Sequence, residues 1–201
     1  LGAAGSGKTT ALKQSGLNFP LESSFGSSIS GLAGTRDCDW FLTDQAVLLD
    51  TAGRLSLHDS HSEHDAYDWK EFITLLKKYR PKQPINGVIV TVGVDDLLEH
   101  HNDIRQLAHE LRKRINEMVK YLGINFPVYL MITKLDMLNG FSEYFKELTP
   151  EQRERYLGFN FAALTDQEDS DYLIGYVSKQ LALITDNINA SAIRVLNGLP
   201  D

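Results

Sequence analysis

Eight residues near the start of the chain, Gly2-Ala3-Ala4-Gly5-Ser6-Gly7-Lys8-Thr9, match G-x-x-x-x-G-K-[ST] at every fixed position. Glycines at 2, 5 and 7 would let the backbone wrap a chain of phosphates with its N–H groups pointing inward. Lys8 would reach the outer phosphates, and the Thr9 hydroxyl would bind Mg²⁺. The competing reading, a glycine-rich turn with a chance lysine, weakens as further matching elements appear downstream. Asp50 closes the apolar run Val47-Leu48-Leu49 and begins Asp50-Thr51-Ala52-Gly53, a D-x-x-G pattern. An acid at that strand end would stand near the same magnesium, and the Gly53 N–H could meet a terminal phosphate. Thr133-Lys134-Leu135-Asp136 follows another apolar run and fits [NT]-K-x-D. There a carboxylate accepts from guanine N1–H and the 2-amino group, whereas adenine offers no such donor pair.

These patterns define the expected nucleotide contacts: Gly2, Gly5, Ser6, Gly7, Lys8, Thr9, Thr10, Asp50, Gly53, Thr133, Lys134 and Asp136. The expected magnesium ligands are Thr9, Asp50 and, from the Gly34-Thr35-Arg36 loop, Thr35. Lys8, Thr35 and Arg54 are the expected groups at the reacting phosphate. Arg54 stands where Ras-like proteins carry a glutamine that orients water. A guanidinium stays protonated and cannot take a proton from that water, so intrinsic hydrolysis is expected to be slow unless a partner completes the site. The base-contacting loop after the last strand is expected near residues 158–164, with no single residue assigned.

The elements that must position these groups alternate between strand and helix. Residues 40–43 and 46–50 read as two strands joined at Asp44-Gln45. Trp69, Phe72, Ile73 and Leu76 recur at helical spacing, and Pro81 and Pro84 stop that helix near Arg80. Residues 85–94 (INGVIVTVGV) and 127–133 (PVYLMIT) have the near-continuous apolar pattern of buried parallel strands. Ile104, Leu107, Leu111, Ile115, Met118 and Leu122 form a second helical stripe between them. Residues 140–155 read as helical in two pieces broken at Thr149-Pro150, and residues 171–196 as a closing helix. This alternation predicts an α/β three-layer P-loop NTPase fold of the Ras-like GTPase kind, mostly parallel, with helices on both faces. The expected domain is residues 1–165, with 166–201 a closing helical segment or the start of an extension. The phosphate loop normally follows a strand, so a first strand is expected upstream of Leu1.

Composition agrees with a soluble domain. The chain has 201 residues, 42% hydrophobic and 23% charged, with a net charge of −7. An acidic balance argues against a surface built to neutralise nucleic-acid phosphates. Cys38, the single cysteine, can form neither an internal disulfide nor a zinc site by itself.

Two further segments carry a family resemblance. Gly34-Thr35-Arg36-Asp37-Cys38-Asp39-Trp40-Phe41 runs on to Leu49-Asp50-Thr51-Ala52-Gly53-Arg54, and Tyr79-Arg80-Pro81-Lys82-Gln83-Pro84-Ile85-Asn86-Gly87-Val88 follows. With Ser15-Gly16-Leu17-Asn18-Phe19-Pro20-Leu21, the chain closely resembles the IcmF/TssM proteins of bacterial secretion systems over about its first 140 residues. The resemblance implies the cytoplasmic part of an inner-membrane protein of a type VI, or related type IVB, secretion apparatus. It also implies GTP or GDP with Mg²⁺ as ligands, a DotU/TssL-type membrane protein and cytoplasmic baseplate components as partners, and membrane contact through segments outside this chain. The function expected from it is nucleotide binding with slow or partner-dependent GTP hydrolysis coupled to assembly. The alternative is a non-hydrolysing nucleotide-binding scaffold. Signal-recognition-particle GTPases share the Asp-Thr-Ala-Gly-Arg and Thr-Lys-Leu-Asp runs, but they usually carry asparagine where this chain has Ala4 and lack the Gly-Thr-Arg-x-Cys-Asp-Trp segment.

Other clusters are read more plainly. His58, His61 and His64, interleaved with acids, read as a solvated loop rather than a zinc site, and residues 56–65 as the most mobile stretch. Arg112-Lys113-Arg114 reads as a basic patch on an exposed helix face, His100-His101 as a surface pair, Trp40 and Trp69 as core anchors, and Cys38 as a partly buried packing residue.

Overall fold

The computed structural model describes residues 1–20, 38–53, 63–99, 101–153, 157–161 and 169–196. These divide into two compact units, Leu1–Met137 and Leu138–Asp201.

The first unit holds every described element that bears on the candidate site. After the glycine-rich loop comes the short helix α1 (Lys8–Lys13). Strands β1 (Asp39–Leu42) and β2 (Val47–Asp50) pair antiparallel in the register Trp40↔Leu49. The turn between them is held by Thr43, whose Oγ1 accepts from Ala46 N–H at 2.8 Å. Helix α2 (Glu63–Tyr79) carries the stripe Trp69, Ile73, Leu76. It ends where Pro81 and Pro84 leave no room for another turn. Strand β3 (Val88–Gly93), helices α3 (Val94–Glu99) and α4 (His101–Leu122), and strand β4 (Val128–Thr133) follow in that order.

β3 and β4 are parallel, from Val88↔Val128 to Gly93↔Thr133, with α3 and α4 as the crossover that parallel pairing requires. Leu1 extends the pattern. Its nitrogen donates to the Ile89 carbonyl at 2.8 Å. Its own carbonyl accepts from Thr91 N–H at 2.8 Å, as in a parallel ladder. The chain therefore enters the glycine-rich loop directly from the side of β3. The core packs Val88, Val90 and Val92 of β3 against Trp69, Ile73 and Leu76 of α2 and Leu111, Met118 and Leu122 of α4, with Ala52 among them.

Several details differ from the expectations. Trp40 is 60% exposed and is not a core anchor, whereas Trp69 is 1% exposed and is one. The alternation of β1 turns Trp40 outward, while the next side chain, Phe41, meets Phe19 with ring centroids 5.9 Å apart. β4 reads as a fully buried strand, yet Val128, Tyr129 and Leu130 are exposed, because β3 is its sole strand neighbour among the described residues. Arg114 does not belong to a solvated basic face. It is 1% exposed, its guanidinium lies 5.2 Å from the Trp69 ring centroid, and it bonds Glu117 at 2.9 Å. Position 114 falls three residues after Leu111 and four before Met118, which places it on the core stripe of α4. Arg112 and Lys113 are exposed, and Cys38 is half-buried as expected. The apolar run ending at Val94 yields a strand only to Gly93, since Asp95 and Asp96 favour the first turn of a helix. Glu63–Asp65 already belong to α2, and the rest of the expected mobile stretch, with His58 and His61, lies outside the described residues, as does His100.

The second unit is helical: α5 (Phe141–Lys146), α6 (Pro150–Arg153) and α7 (Ser170–Leu196). The break falls at Thr149-Pro150, as the sequence predicts. Phe159, Phe161 and Tyr176 form a ring cluster, and the Tyr176 hydroxyl donates to the Asn160 carbonyl at 3.0 Å. Among the described residues no helix is long and apolar enough to cross a membrane.

Candidate functional site

The site is built where the glycine-rich loop, the end of β2 and the end of β4 converge in the first unit. Gly2 lies so close to β3 that a Cβ there would sit 2.3 Å from Thr91 Oγ1 and 2.5 Å from the Thr91 carbonyl oxygen. Only glycine permits that approach. The loop is then pinned from two sides. Ser6 Oγ and Thr91 Oγ1 are hydrogen-bonded at 2.8 Å. Thr133 Oγ1 donates to the Ser6 carbonyl at 2.6 Å. Thr133, the first residue of the Thr-Lys-x-Asp run, thus braces the loop against β4.

Lys8 opens α1 behind Gly7 and folds back over the loop. Its Nζ donates to the carbonyls of Gly2 at 3.0 Å and Ala3 at 2.8 Å. Burial pushes its pKa below the ordinary lysine value, while the negative charge of Asp50 pulls the other way. The N-cap of α1 is Gly7, which takes the left-handed conformation, φ 80°, and has no side chain with which to cap the helix. Thr9 Oγ1 donates to Asp50 Oδ2 at 2.5 Å, and Asp50 is buried at the end of β2. A threonine hydroxyl against a strand-end carboxylate is the pair of hard oxygen donors a magnesium ion takes. A half-buried lysine among loop carbonyls adds the cation that a phosphate would neutralise. The donor set fits Mg²⁺ with a nucleoside phosphate.

Gly53 closes the same site from the β2 side. A Cβ on it would lie 2.5 Å from both Cα and N of Ala4, which are backbone atoms that cannot swing aside. Gly53→Ala is therefore expected to displace the glycine-rich loop and to cost about 1–3 kcal/mol of stability. Urea unfolding monitored at Trp69 measures this. A cost below about 0.5 kcal/mol would mean that Gly53 and Ala4 do not press together.

Lys134 and Asp136 lie just beyond β4. Lys134 takes the left-handed conformation, φ 59°, and its Nζ pairs with Asp95 Oδ2 at 2.5 Å. Asp136 is exposed in a 3₁₀ turn, Leu135–Met137, with its carboxylate accessible. Gly5 and Thr10 are exposed at the loop tip and on α1. The structure thus brings Gly2, Ser6, Gly7, Lys8, Thr9, Asp50, Gly53 and Thr133 into one neighbourhood. Thr35 and Arg54 lie outside the described residues, as do residues 162–164 of the expected last base-contacting loop.

Two residues at the site escaped the sequence reading. Thr91 braces the loop from mid-strand, where nothing in an apolar run marks it. Asp95 partners Lys134, and its one signal is an acid pair directly after a buried strand.

Residues 62–201 match the family profile described as the IcmF-related N-terminal domain. The chain is also 42% identical over 199 residues to the type VI secretion system component TssM1 of Pseudomonas aeruginosa. That alignment covers 98% of this chain and 18% of the relative, so the chain spans under a fifth of the protein it matches. No solved structure matches the chain.

Proposed function

The chain belongs to the IcmF/TssM family, and from that premise we propose that its first unit binds a guanine nucleotide with Mg²⁺ inside a secretion-system membrane component. The observation that carries this is the convergence of Lys8 and the Thr9–Asp50 pair on one glycine-rich loop. Binding would exchange the Lys8 bonds to Gly2 and Ala3 carbonyls for stronger charge-assisted bonds to phosphate. Thr9 and Asp50 would hold the magnesium, which neutralises charge on the outer phosphates. Thr133 keeps the loop in place, and Asp136 offers its carboxylate to the guanine edge. The fold proposed around this site is the three-layer P-loop fold, with Leu1 in a parallel ladder beside β3. The family further suggests an inner-membrane complex of a type VI system, with a DotU/TssL-type protein and baseplate components as partners and this domain on the cytoplasmic side.

Two uses of the nucleotide follow. In the first, slow or partner-completed GTP hydrolysis times assembly through a nucleotide-state change in the segments 31–36 and 53–65. In the second, nucleotide is held for structure while the surface recruits partners. The identity of Arg54 favours the second, because a guanidinium directly after Gly53 stays protonated and cannot take a proton from water, whereas the intact Lys8, Thr9 and Asp50 favour the first. Single-turnover hydrolysis with and without the partner separates them.

Base choice tests the reading of Asp136. Asp136→Asn replaces one acceptor by a donor and no longer matches guanine N1–H and its 2-amino group. Guanine-nucleotide affinity is expected to fall at least about a hundredfold while xanthine-nucleotide affinity rises, measured by competition against a fluorescent GDP analogue. Unchanged guanine affinity would remove Asp136 from the base site.

A further inference from the structure

The Lys134–Asp95 pair joins positions 39 residues apart, the turn after β4 and the first turn of α3. β3 and β4 are parallel and end in register at Gly93↔Thr133. Asp95 and Lys134 therefore stand side by side beyond the carboxyl ends of adjacent strands, where parallel sheets build ligand sites. Lys134 is the one non-glycine residue at positive φ among the described residues. That backbone costs energy for a lysine and persists only where the surroundings hold it. Asp95 holds the far end of that side chain. Its Oδ2 takes the ammonium, and its Oδ1 is shut off from solvent with no well-aligned donor. The hydrogen bond from Lys134 keeps the Asp95 carboxyl below the usual carboxylate range, against the opposing effect of burial.

We propose that Asp95 is a positioning residue for base recognition: by gripping the Lys134 ammonium it fixes the lysine stem as a preformed wall beside Asp136. The assignment rests on the guanine-nucleotide reading above. A lysine free in solvent loses its rotamer freedom when a ligand orders it, whereas a tethered one has lost it already. Asp95 therefore acts on how long the base stays bound, through Lys134 and without touching the ligand. Lys8, Thr9 and Asp50 keep their own roles in holding the phosphates and magnesium.

The test is a double-mutant cycle on the dissociation rate of a fluorescent GDP analogue, with Asp95→Asn, Lys134→Met, the double variant, and Asp95→Glu as the conservative change. Asp95→Asn is expected to speed dissociation about tenfold. The double variant should dissociate no faster than Lys134→Met, and Asp95→Glu should restore most of the loss. A ligand-free readout accompanies it. The side-chain ammonium ¹⁵N signal of Lys134, assigned by its loss in Lys134→Met, should be visible in wild type and broaden away in Asp95→Asn. Dissociation changed less than twofold, or additive effects in the double variant, would overturn the assignment alone. Wild type that retains no nucleotide, or that retains it equally well as Lys8→Ala, would overturn the nucleotide reading and this assignment with it.

Discussion

Lys8→Ala is expected to weaken nucleotide affinity at least about a hundredfold, because Lys8 is the cation that, among the described residues, the glycine-rich loop holds where phosphate would bind. The same position destabilises the ligand-free protein. Lys8 Nζ has loop carbonyls for partners and sits where burial lowers its pKa, with Asp50 only partly compensating. An amine whose folded-state pKa lies below its unfolded value of 10.5 binds fewer protons when folded than when unfolded between those two pKa values. Stability therefore rises with pH across that window, and below it the full cost of the buried charge remains. Lys8→Met keeps the apolar stem and removes the charge. It is expected to melt about 2–4 °C higher than wild type at neutral pH without nucleotide, and to lack the alkaline rise in stability. Thermal melts from pH 7 upward, paired with a binding titration, check both. A Lys8→Met protein that melts lower would show that the two carbonyl bonds outweigh the cost of burying the charge.

Trp69→Ala is expected to cost about 3–5 kcal/mol, the largest effect of any single truncation among the described residues of the first unit. Among the described residues Trp69 is the largest fully buried side chain, stacked on Phe72 with centroids 5.9 Å apart and covered by the Arg114 guanidinium. Truncation opens a cavity between α2 and α4 and removes the aromatic face beneath the buried Arg114 guanidinium. Trp69→Phe fills most of the space and also removes an indole N–H that is buried without an acceptor. It should therefore cost about 1.5 kcal/mol or less. Urea denaturation of the two variants reads the difference. Similar losses for both would mean that the indole makes a contact the phenyl ring cannot replace.

The arrangement of elements was legible because the first unit is built from strong periodicities. The Trp69, Ile73, Leu76 stripe, the β-branched run in β3 and the prolines after α2 each point to one local structure. The motif residues were legible for a different reason. Glycine at 2 and the Lys8-Thr9 pair are demanded by chemistry, and chemistry leaves little freedom of residue type. What was hidden depends on neighbours in space. Trp40 looked like an anchor by its type, but which way it points follows from how β1 pairs. Arg114 looked like a surface charge, because reading the three basic residues together obscured that only the third shares a face with Leu111 and Met118. Thr91 and Asp95 gained their roles from the parallel register of β3 and β4. That register brings Thr91 against the glycine-rich loop and Asp95 against Lys134, and no local pattern encodes it.

The most direct test of the central claim is an equilibrium titration of fluorescent GDP, GTP and ATP analogues into the protein, in Mg²⁺ and again in excess EDTA. Guanine-nucleotide binding in the micromolar range is expected, weakened by EDTA and at least about a hundredfold poorer both in Lys8→Ala and for ATP. Equal affinity for all three, or binding by none, would contradict it.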